Sequence, residues 1–414
     1  MQTTVDPSLA EDPRAIAAEA ILRKCVHCGF CLATCPTYNL LGNELDSPRG
    51  RIYLIKQVVE GQTPTEATRN HLDRCLTCRN CETTCPSGVE YGHLVDVGRS
   101  LVEDVVPRSG RDKWLRKGLL SVLPYSKRVT PLVKMGQSVR PILPKVLAAS
   151  IPPKQKVKPL PTTTHARHML VLNGCVQPSM APATNVAAAR VLDALGITLK
   201  NMESSGCCGA VHFHLNEQDK ARDFMRQNID AWWPSIEAGA EAIVVTASGC
   251  GVMVKDYAHV LEDDPQYAEK AKRVSELAQD PVEALQTVLA NEDLSRYASA
   301  AAAIGRVAFH PPCTLQHGMK LPMATETLLE RFGFKLTPIA DAHTCCGSAG
   351  TYSIFQPTLS NQLKKNKVRN ILAGQPDVIA TANIGCQLHI QGGSGRPVVH
   401  WIELVEQAMS ATEA

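Results

Sequence analysis

Two runs of cysteine in the first hundred residues have a spacing that suits iron better than disulfides. Each run reads C-x2-C-x2-C-x3-C-P, from Cys25 to Pro36 and from Cys75 to Pro86, and the second follows the first by 50 residues. Thiolate sulfur is the ligand of iron in [4Fe–4S] clusters, and a cysteine at every third residue lets one short loop reach three corners of a cube. The pattern therefore predicts two such clusters.

The fourth cysteine of each run lies too far along the chain to close the same cube. In bacterial two-cluster sites built from this run, the fourth cysteine serves the other cluster. Two zinc knuckles or a disulfide cluster are alternatives, but zinc needs only C-x2-C pairs and would leave four cysteines unused. We therefore expect two crossed ligand sets, which are Cys25, Cys28, Cys31 and Cys85 for cluster 1, and Cys75, Cys78, Cys81 and Cys35 for cluster 2.

The remaining eight cysteines form a second repeat, in which the first spacing is 32 residues in both copies. Adjacent cysteines pair poorly with each other because the short link strains a disulfide, and the glycine after each pair lets the backbone approach closely. The pattern is compatible with an additional cluster, with zinc, or with buried thiols that bind no metal. The candidate ligands are Cys175, Cys207, Cys208 and Cys250 in the first copy, and Cys313, Cys345, Cys346 and Cys386 in the second.

Helix signals surround both cysteine runs. In the segment before the second run, Thr63 and Glu66 have the spacing of a capping box, with proline at the first helical position. We expect residues 1–105 to form a helical domain that carries the clusters. Its predicted helices run from Pro13 to Lys24 behind an Asp12 cap, from Pro48 to a stop at Gly61, and from Pro64 into Cys75.

Residues 166–414 alternate short apolar strands with helical segments, which indicates parallel α/β sheets. Sites in such sheets form beyond the carboxyl ends of the strands, where the repeated cysteines fall. The predicted fold class is therefore α + α/β, with a helical ferredoxin domain followed by paired-cysteine module A at 166–300 and module B at 301–414. The expected strands are Met169–Leu172, Ala242–Ala247, Val307–Phe309 and Val378–Ala382.

A basic, proline-rich segment at 106–165 is expected to link the two halves. Between Pro107 and His168 there are fourteen Lys and Arg and one acid, Asp112, although the net charge of the chain is only +3. Nine prolines predict that any helix here is short. The apolar residues around Trp114 alternate with basic ones, which suits an anionic membrane surface or, as we prefer, a linker docked on an acidic protein surface. No recognised module accompanies this charge, so nucleic-acid binding is not expected.

The sixteen cysteines indicate a reducing compartment, because disulfide-dense proteins are usually short and secreted and this chain has 414 residues. Its first residues, MQTTVDPSLAEDPRA, lack the features of a leader. No window offers the roughly 18 apolar residues of a membrane span. We expect a cytoplasmic protein that is at most peripheral at the inner face of the cytoplasmic membrane.

Several stretches resemble one protein family over nearly all of residues 20–410, the iron–sulfur subunits of bacterial glycolate oxidase. The second half also resembles the paired-cysteine (CCG) domains found in the third subunit of anaerobic glycerol-3-phosphate dehydrogenase, in lactate-utilisation proteins and in heterodisulfide reductase. The resemblance rests on K-C-V-H-C-G-F-C-L-A-T-C-P-T-Y-N, S-P-R-G-R-I-Y-L-I-K-Q, D-R-C-L-T-C-R-N-C-E-T-T-C-P-S-G-V, S-G-C-C-G-A-V-H, T-A-S-G-C-G, T-C-C-G-S-A-G-T-Y and T-A-N-I-G-C-Q.

The resemblance implies an electron-transfer subunit of a multisubunit oxidoreductase. Glycolate or D-lactate would be oxidised on a partner subunit that carries FAD, and the electrons would pass through the two [4Fe–4S] clusters to a quinone-type acceptor. No catalytic residue is expected on this chain, which has no G-x-G-x-x-G after a strand to bind a flavin or nicotinamide cofactor.

The chain departs from its heterodisulfide reductase relatives at the end of each module. Those proteins end the module in C-x-x-C, whereas here Met253 and His389 stand where the fifth cysteine would be. We expect both residues to pack rather than to bind metal. The departure argues against the alternative function, a disulfide or heterodisulfide reductase that uses a cluster in the CCG modules. A scaffold or metal-storage role is a third, less favoured alternative.

Overall fold

The structure is a computed structural model that describes residues 1–144 and 151–413. The chain divides into two compact units. The first comprises Met1–Lys117, His214–Asn216 and His343–Lys367, and the second comprises Gly118–Phe213, Glu217–Ala342 and Val368–Ala414. Residues 145–150 of the expected linker lie outside the described residues. The domain boundaries expected from the sequence stay a prediction.

Helices and short turns make up the described chain before the first strand. Turns of 3-10 helix lie at Pro7–Leu9, Glu44–Asp46 and Arg140–Ile142. The α-helices are α1 (Pro13–Lys24), α2 (Phe30–Ala33), α3 (Pro36–Leu41), α4 (Pro48–Val59), α5 (Glu66–Asp73), α6 (Asn80–Thr84), α7 (Tyr91–Val105), α8 (Gly110–Val122) and α9 (Ser126–Val139).

The predicted starts of the first two helices, at Pro13 and Pro48, are confirmed. The Asp12 side chain accepts a hydrogen bond at the start of α1, and Ser47 accepts the N–H of Gly50 at the start of α4. The predicted capping box before α5 is wrong by two residues. Thr65 is the N-cap, and it forms the box with Thr68, because these two residues satisfy each other's backbone N–H groups.

The expectation of short helices in the basic segment is also wrong. Helices α8 and α9 have 13 and 14 residues. Two prolines, Pro124 and Pro141, lie outside these helices, and Pro131 removes only one hydrogen bond from α9. Residues 151–165 form neither helix nor strand. None of the helices in the described ranges combines the length and the apolarity that crossing a membrane requires.

Helices α1, α4 and α7 form the core of the first unit. Their apolar faces bring together fully buried side chains such as Leu22, Ile55 and Leu94. Three of the cluster cysteines, Cys25, Cys75 and Cys81, belong to the same core. The cysteine runs are therefore anchored by hydrophobic packing as well as by their own loops.

The second unit contains two four-stranded sheets in which every pairing is parallel. The strand orders are β2-β1-β3-β4 and β6-β5-β7-β8, so the duplication seen in the sequence is a duplication of topology. The strands are β1 (Arg167–Val171), β2 (Ile197–Asn201), β3 (Ile243–Val244), β4 (Ala278–Gln279), β5 (Arg306–His310), β6 (Lys335–Leu336), β7 (Val378–Thr381) and β8 (Val398–His400).

The helices after β1 begin at Gln177, close to Cys175, and the last of them ends at Glu413. A π-helical turn lies at Thr314–Gly318 and a 3-10 turn at Ser295–Tyr297. The α-helices are α10 (Gln177–Met180), α11 (Pro182–Ala194), α12 (Ala210–His214), α13 (Gln218–Glu237), α14 (Ser248–Lys255), α15 (Tyr257–Val260), α16 (Ala268–Leu277), α17 (Pro281–Val288), α18 (Ala298–Ala303), α19 (Ala324–Arg331), α20 (Tyr352–Phe355), α21 (Pro357–Ala373), α22 (Ile384–Ser394) and α23 (Trp401–Glu413).

Two hydrophobic cores hold the sheets of the second unit. One core joins residues of both sheets, including Met169, Val307 and the fully buried Trp401. The other surrounds Trp232 and Tyr257 beside the first sheet. Strands covered on both faces read as continuous apolar runs, as the sequence indicated. The predicted α + α/β fold class with a duplicated parallel sheet is confirmed.

We predict that Gly50→Ala destabilises the protein, because a Cβ at this position would overlap the backbone carbonyl of Glu44. Neither backbone can yield without moving the start of α4. The free energy of unfolding should fall by about 1–3 kcal/mol. Guanidinium denaturation followed by helix circular dichroism measures it. Gly118→Ala in α8 is the matched control, since it meets nothing within 4 Å and should stabilise by about 0.5–1 kcal/mol. Equal effects of the two substitutions would contradict the close approach.

Candidate metal centres

The loops of the two cysteine runs share one backbone conformation. The second residue after the first cysteine is left-handed in both, His27 at φ 55° and Thr77 at φ 49°. The residue after the second cysteine is left-handed as well, Gly29 at φ 86° and Arg79 at φ 57°. Three of these four residues are not glycine, and each costs about 1 kcal/mol or more in this conformation. Such strain at equivalent positions marks a loop shaped for a ligand.

Short helices carry the later cysteines of each run. Cys31 lies in α2 and Cys81 in α6. Cys85 follows α6 directly, and Cys35 lies between α2 and α3 as the N-cap of α3. The two runs are joined by Asn80, whose Nδ2 donates to the backbone oxygen of Thr34 over 3.1 Å. The end of the first run is thereby held against the start of α6 in the second run.

Two pockets lie at these loops, and each is completed by a cysteine from the other run. The first pocket is lined by Cys25, Cys28, Cys31 and Cys85, and the second by Cys35, Cys75, Cys78 and Cys81. Cys81 also borders the first pocket, and Pro48 and Tyr91 border both. Each pocket thus offers the four soft sulfur donors that a [4Fe–4S] cubane requires, so the residues present fit two such groups.

The electrostatic neighbours of the thiols follow the same division. Burial raises the pKa of Cys31 to about 11, and the nearby Cys25, Cys85 and Cys28 add to the shift. Burial also raises the pKa of Cys81 far above its usual value, with Cys78, Cys75 and Cys35 contributing. Because iron binds thiolate, both thiols must lose their protons when metal binds.

Polar residues beneath the second pocket are the ones that sequence reasoning missed. Thr37, Arg51 and Tyr91 line it, and Asp46 lies behind them, hydrogen-bonded through its backbone oxygen to Thr37. A signal for Arg51 does exist in the sequence. It shares a face of α4 with the buried Ile55 and Val58, at spacings of four and seven residues, and an arginine on an apolar face needs a buried partner.

The structure brings the four cysteines of module A together at the carboxyl ends of β1 and β3. Cys207 lies beside both Cys175 and Cys208, and Cys208 lies beside Cys250. The nearby Cys207 thiol, together with burial, holds the pKa of Cys175 well above its usual range. A small pocket beside Cys175 and Cys250 is lined mostly by apolar residues of these strand ends.

The Cys207-Cys208 loop is fixed by a buried network behind it. Asn228 donates to the Cys207 carbonyl over 2.8 Å and to the Tyr257 hydroxyl over 3.0 Å. Tyr257 in turn donates to the Cys208 carbonyl over 3.0 Å. Gly209, which follows the pair, has φ +91° and its N–H contacts Cys207 Sγ at 3.5 Å. Glycine is required there because other residues rarely adopt this conformation.

The four cysteines of module B are distributed between the two units. Cys345 and Cys346 belong to the first unit, whereas Cys313 and Cys386 belong to the second. The paired-cysteine loop repeats the geometry of module A, since Gly347 also has φ +91° and its N–H contacts Cys345 Sγ at 3.4 Å. Burial raises the pKa of Tyr352, and contributions from Cys75 and Cys345 show that this tyrosine lies near both.

Met253, which stands where relatives have a fifth cysteine, packs in the core around Trp232 and Tyr257. Its side chain is only 3% exposed. The packing role expected for Met253 therefore agrees with its position.

Comparison with known proteins identifies one iron–sulfur domain and two cysteine-rich domains in this chain. Residues 21–89 match the 4Fe-4S dicluster domain, and residues 169–255 and 307–391 each match the cysteine-rich domain CCG. A protein named lactate utilization protein A, from Geobacillus thermodenitrificans, is 31% identical over 216 residues, which cover 51% of this chain and 86% of that protein.

Two relatives cover almost the whole chain. The probable glycolate oxidase iron-sulfur subunit of Bacillus subtilis is 30% identical over 91% of this chain and 90% of its own length. The glycolate oxidase iron-sulfur subunit of Escherichia coli K12 is 53% identical over 99% of both chains. Because this identity extends over nearly the whole of both chains, and because the chain matches the dicluster domain and, twice, the CCG domain, this chain belongs to the family of glycolate oxidase iron–sulfur subunits.

Proposed function

We propose that this chain is the electron-transfer subunit of a 2-hydroxy-acid oxidase and holds two [4Fe–4S] clusters with crossed ligands. Cys25, Cys28, Cys31 and Cys85 hold cluster 1, and Cys75, Cys78, Cys81 and Cys35 hold cluster 2. The observation that carries the proposal is the pair of pockets, each lined by three cysteines of one run and completed by the fourth of the other. When bound, such clusters accept and release single electrons.

The residues around the pockets suit passage of electrons between two nearby centres. Pro48, Cys81 and Tyr91 border both pockets, so no more than one layer of side chains separates them. The surrounding helices exclude water from Cys35, Cys75 and Cys81, which are buried. The chain supplies positions and a low dielectric, while the oxidation of the substrate takes place elsewhere.

The names of the relatives support the proposed class of substrate. Those names mention glycolate oxidase and lactate utilization, and both acids are 2-hydroxy acids. We propose that glycolate or D-lactate is oxidised on a partner subunit that carries FAD, and that a quinone-type compound accepts the electrons. Peripheral contact with the cytoplasmic membrane would bring the chain to such an acceptor.

The CCG modules are proposed to hold an additional cluster or zinc. In module A the candidate ligands Cys175, Cys207, Cys208 and Cys250 are close neighbours, which supports their binding one metal centre. For module B the proposal for Cys313, Cys345, Cys346 and Cys386 rests on the equivalent sequence spacing.

The crossed ligation is tested with serine substitutions of the two fourth cysteines. Cys85→Ser should alter or abolish the same EPR signal as Cys28→Ser, and Cys35→Ser the same signal as Cys78→Ser. Each variant should lose about four irons, because one cubane depends on each ligand set. The two pairs serve as controls for each other. If Cys35→Ser instead affected the signal that Cys28→Ser removes, the ligands would not be crossed.

The CCG proposal is tested by anaerobic iron, sulfide and zinc analysis. The chain should contain metal beyond the roughly eight irons of two cubanes, and Cys250→Ala should remove the part of this excess that module A holds while the eight irons remain. Met253→Leu, three residues further along α14, is the matched control and should keep it, because Met253 packs in the core. A chain with eight irons and no zinc would show that module A binds no metal.

The electron-transfer role is tested with the tagged chain isolated from its native host. A flavoprotein should be retained with it, and adding glycolate or D-lactate anaerobically should bleach the cluster absorbance. Acetate, which lacks the hydroxyl group that is oxidised, is the control and should leave the spectrum unchanged. Reduction of a disulfide by the isolated chain, without any flavoprotein, would favour the reductase alternative instead.

A further inference from the structure

Arg51 places a permanent positive charge beside the second pocket. It lines this pocket, and its side chain is only 1% exposed. A guanidinium group keeps its charge at every physiological pH. Water screens exposed charges strongly but buried ones much less. The positive charge of Arg51 therefore interacts strongly with any charge within the second pocket.

The hydrogen bonds of Arg51 hold it in one orientation. Its Nε donates to the carbonyl of His71 over 2.7 Å, and its Nη2 donates to the Thr37 hydroxyl over 3.2 Å. The Thr37 hydroxyl is also 3.3 Å from Cys35 Sγ. Arg51 thus reaches a candidate cluster ligand through a single intervening hydroxyl group.

The countercharge behind Arg51 does not cancel it. Asp46 is fully buried and lies 3.5 Å from Arg51, but it is closer to Arg74, at 3.0 Å, and to His71, at 2.9 Å. Two guanidinium groups therefore share one carboxylate. Arg99, which donates to the Cys75 carbonyl, is paired with Asp96. Around Asp46 the guanidinium groups of Arg51 and Arg74 therefore outnumber the carboxylate by one positive charge.

The first pocket has no equivalent of Arg51 in the described chain. Arg49, two residues earlier in α4, borders it, but its side chain is about one-third exposed and pairs with Glu44 over 2.8 Å. Solvent and this carboxylate both weaken its field. Helix α4 thus presents a buried arginine to one pocket and a solvated arginine to the other.

Tyr91 also stabilises negative charge within the second pocket. The Tyr91 hydroxyl donates to Cys75 Sγ over 3.7 Å, and Tyr91 is 3% exposed. Hydrogen bonds to the ligand sulfurs and nearby charge are among the factors that set the potential of an iron–sulfur cluster. A positive charge and a hydrogen bond to sulfur both stabilise negative charge on the cluster ligands. Because reduction adds one negative charge, both favour the reduced state.

We propose that Arg51 is a positioning residue that raises the reduction potential of the cluster held by Cys35, Cys75, Cys78 and Cys81 above that of the other. The inference rests on the two-cluster function proposed above. An electron supplied by the reduced flavin of the partner would then favour the cluster of the second pocket. Its transfer from the first cluster would oxidise that cluster and reduce the second, with no proton transferred.

The test is an EPR-monitored redox titration of the full chain with Arg51→Gln. The signal lost in Cys78→Ser should shift to lower potential by at least a tenfold change in its reduction equilibrium, which is 59 mV for one electron, while the signal lost in Cys28→Ser should stay in place. Arg49→Gln is the matched control, with the same chemical change on the same helix, and should shift either signal by less than twofold. In the unaltered chain the second cluster should have the higher potential.

Two further variants keep the test decisive if Arg51→Gln cannot assemble its cluster. Tyr91→Phe removes only the hydroxyl group and should lower the potential of the same signal by a smaller amount. Arg51→Lys keeps the charge and should retain most of the original potential. Unchanged potentials in Arg51→Gln or Tyr91→Phe, or equal shifts of both signals, would overturn the inference while leaving the two clusters intact. A chain without two cluster signals would instead refute the proposed function.

Discussion

Each thiol pocket of the first unit depends on both cysteine runs, and this dependence is the constraint around which the unit is built. Cys85 completes the pocket of the first run, and Cys35 completes the pocket of the second. The helices between the runs must therefore return the chain to within a few ångströms of its starting point. Helix α4 and helix α5 perform this return, and α4 packs on α1 and α7 in the core that also contains Cys25 and Cys75.

Burying so many polar and ionisable groups near these pockets requires a complete set of partners. Asp46 has no solvent exposure, and it is matched by Arg51, Arg74 and His71. Removing one partner of such a group leaves a buried charge without compensation, which is strongly destabilising. The polar network beneath the second pocket therefore makes a structural contribution as well as an electrostatic one. The first pocket is bordered largely by apolar side chains such as Ile52 and Val89.

The second unit solves a similar assembly problem by duplication. A parallel sheet directs the ends of its central strands to one edge, and in module A this edge collects Cys175 and Cys250, which are 75 residues apart in the sequence. The Cys207-Cys208 loop is added from outside the sheet and held by Asn228 and Tyr257. The Cys345-Cys346 loop has the same glycine conformation, but its support differs, since the Ser360 hydroxyl donates to the Gly347 carbonyl.

The sequence by itself determined the two cysteine runs and the cysteine repeat, the helical character of the first part, and the parallel α/β class of the duplicated part, because these depend on local spacing and on periodicity. Local signals were less reliable where several starts were compatible with the residues. The helix before the second run begins at Thr65 rather than Thr63, and α9 continues through Pro131. Only the tertiary structure placed Arg51, Thr37 and Tyr91 beside the second pocket, since the hydrogen bonds of Arg51 and Tyr91 join residues 14 to 20 positions apart. It alone distinguished the buried Arg51 from the solvated Arg49, because burial is a property of the packed helix and not of the residue type.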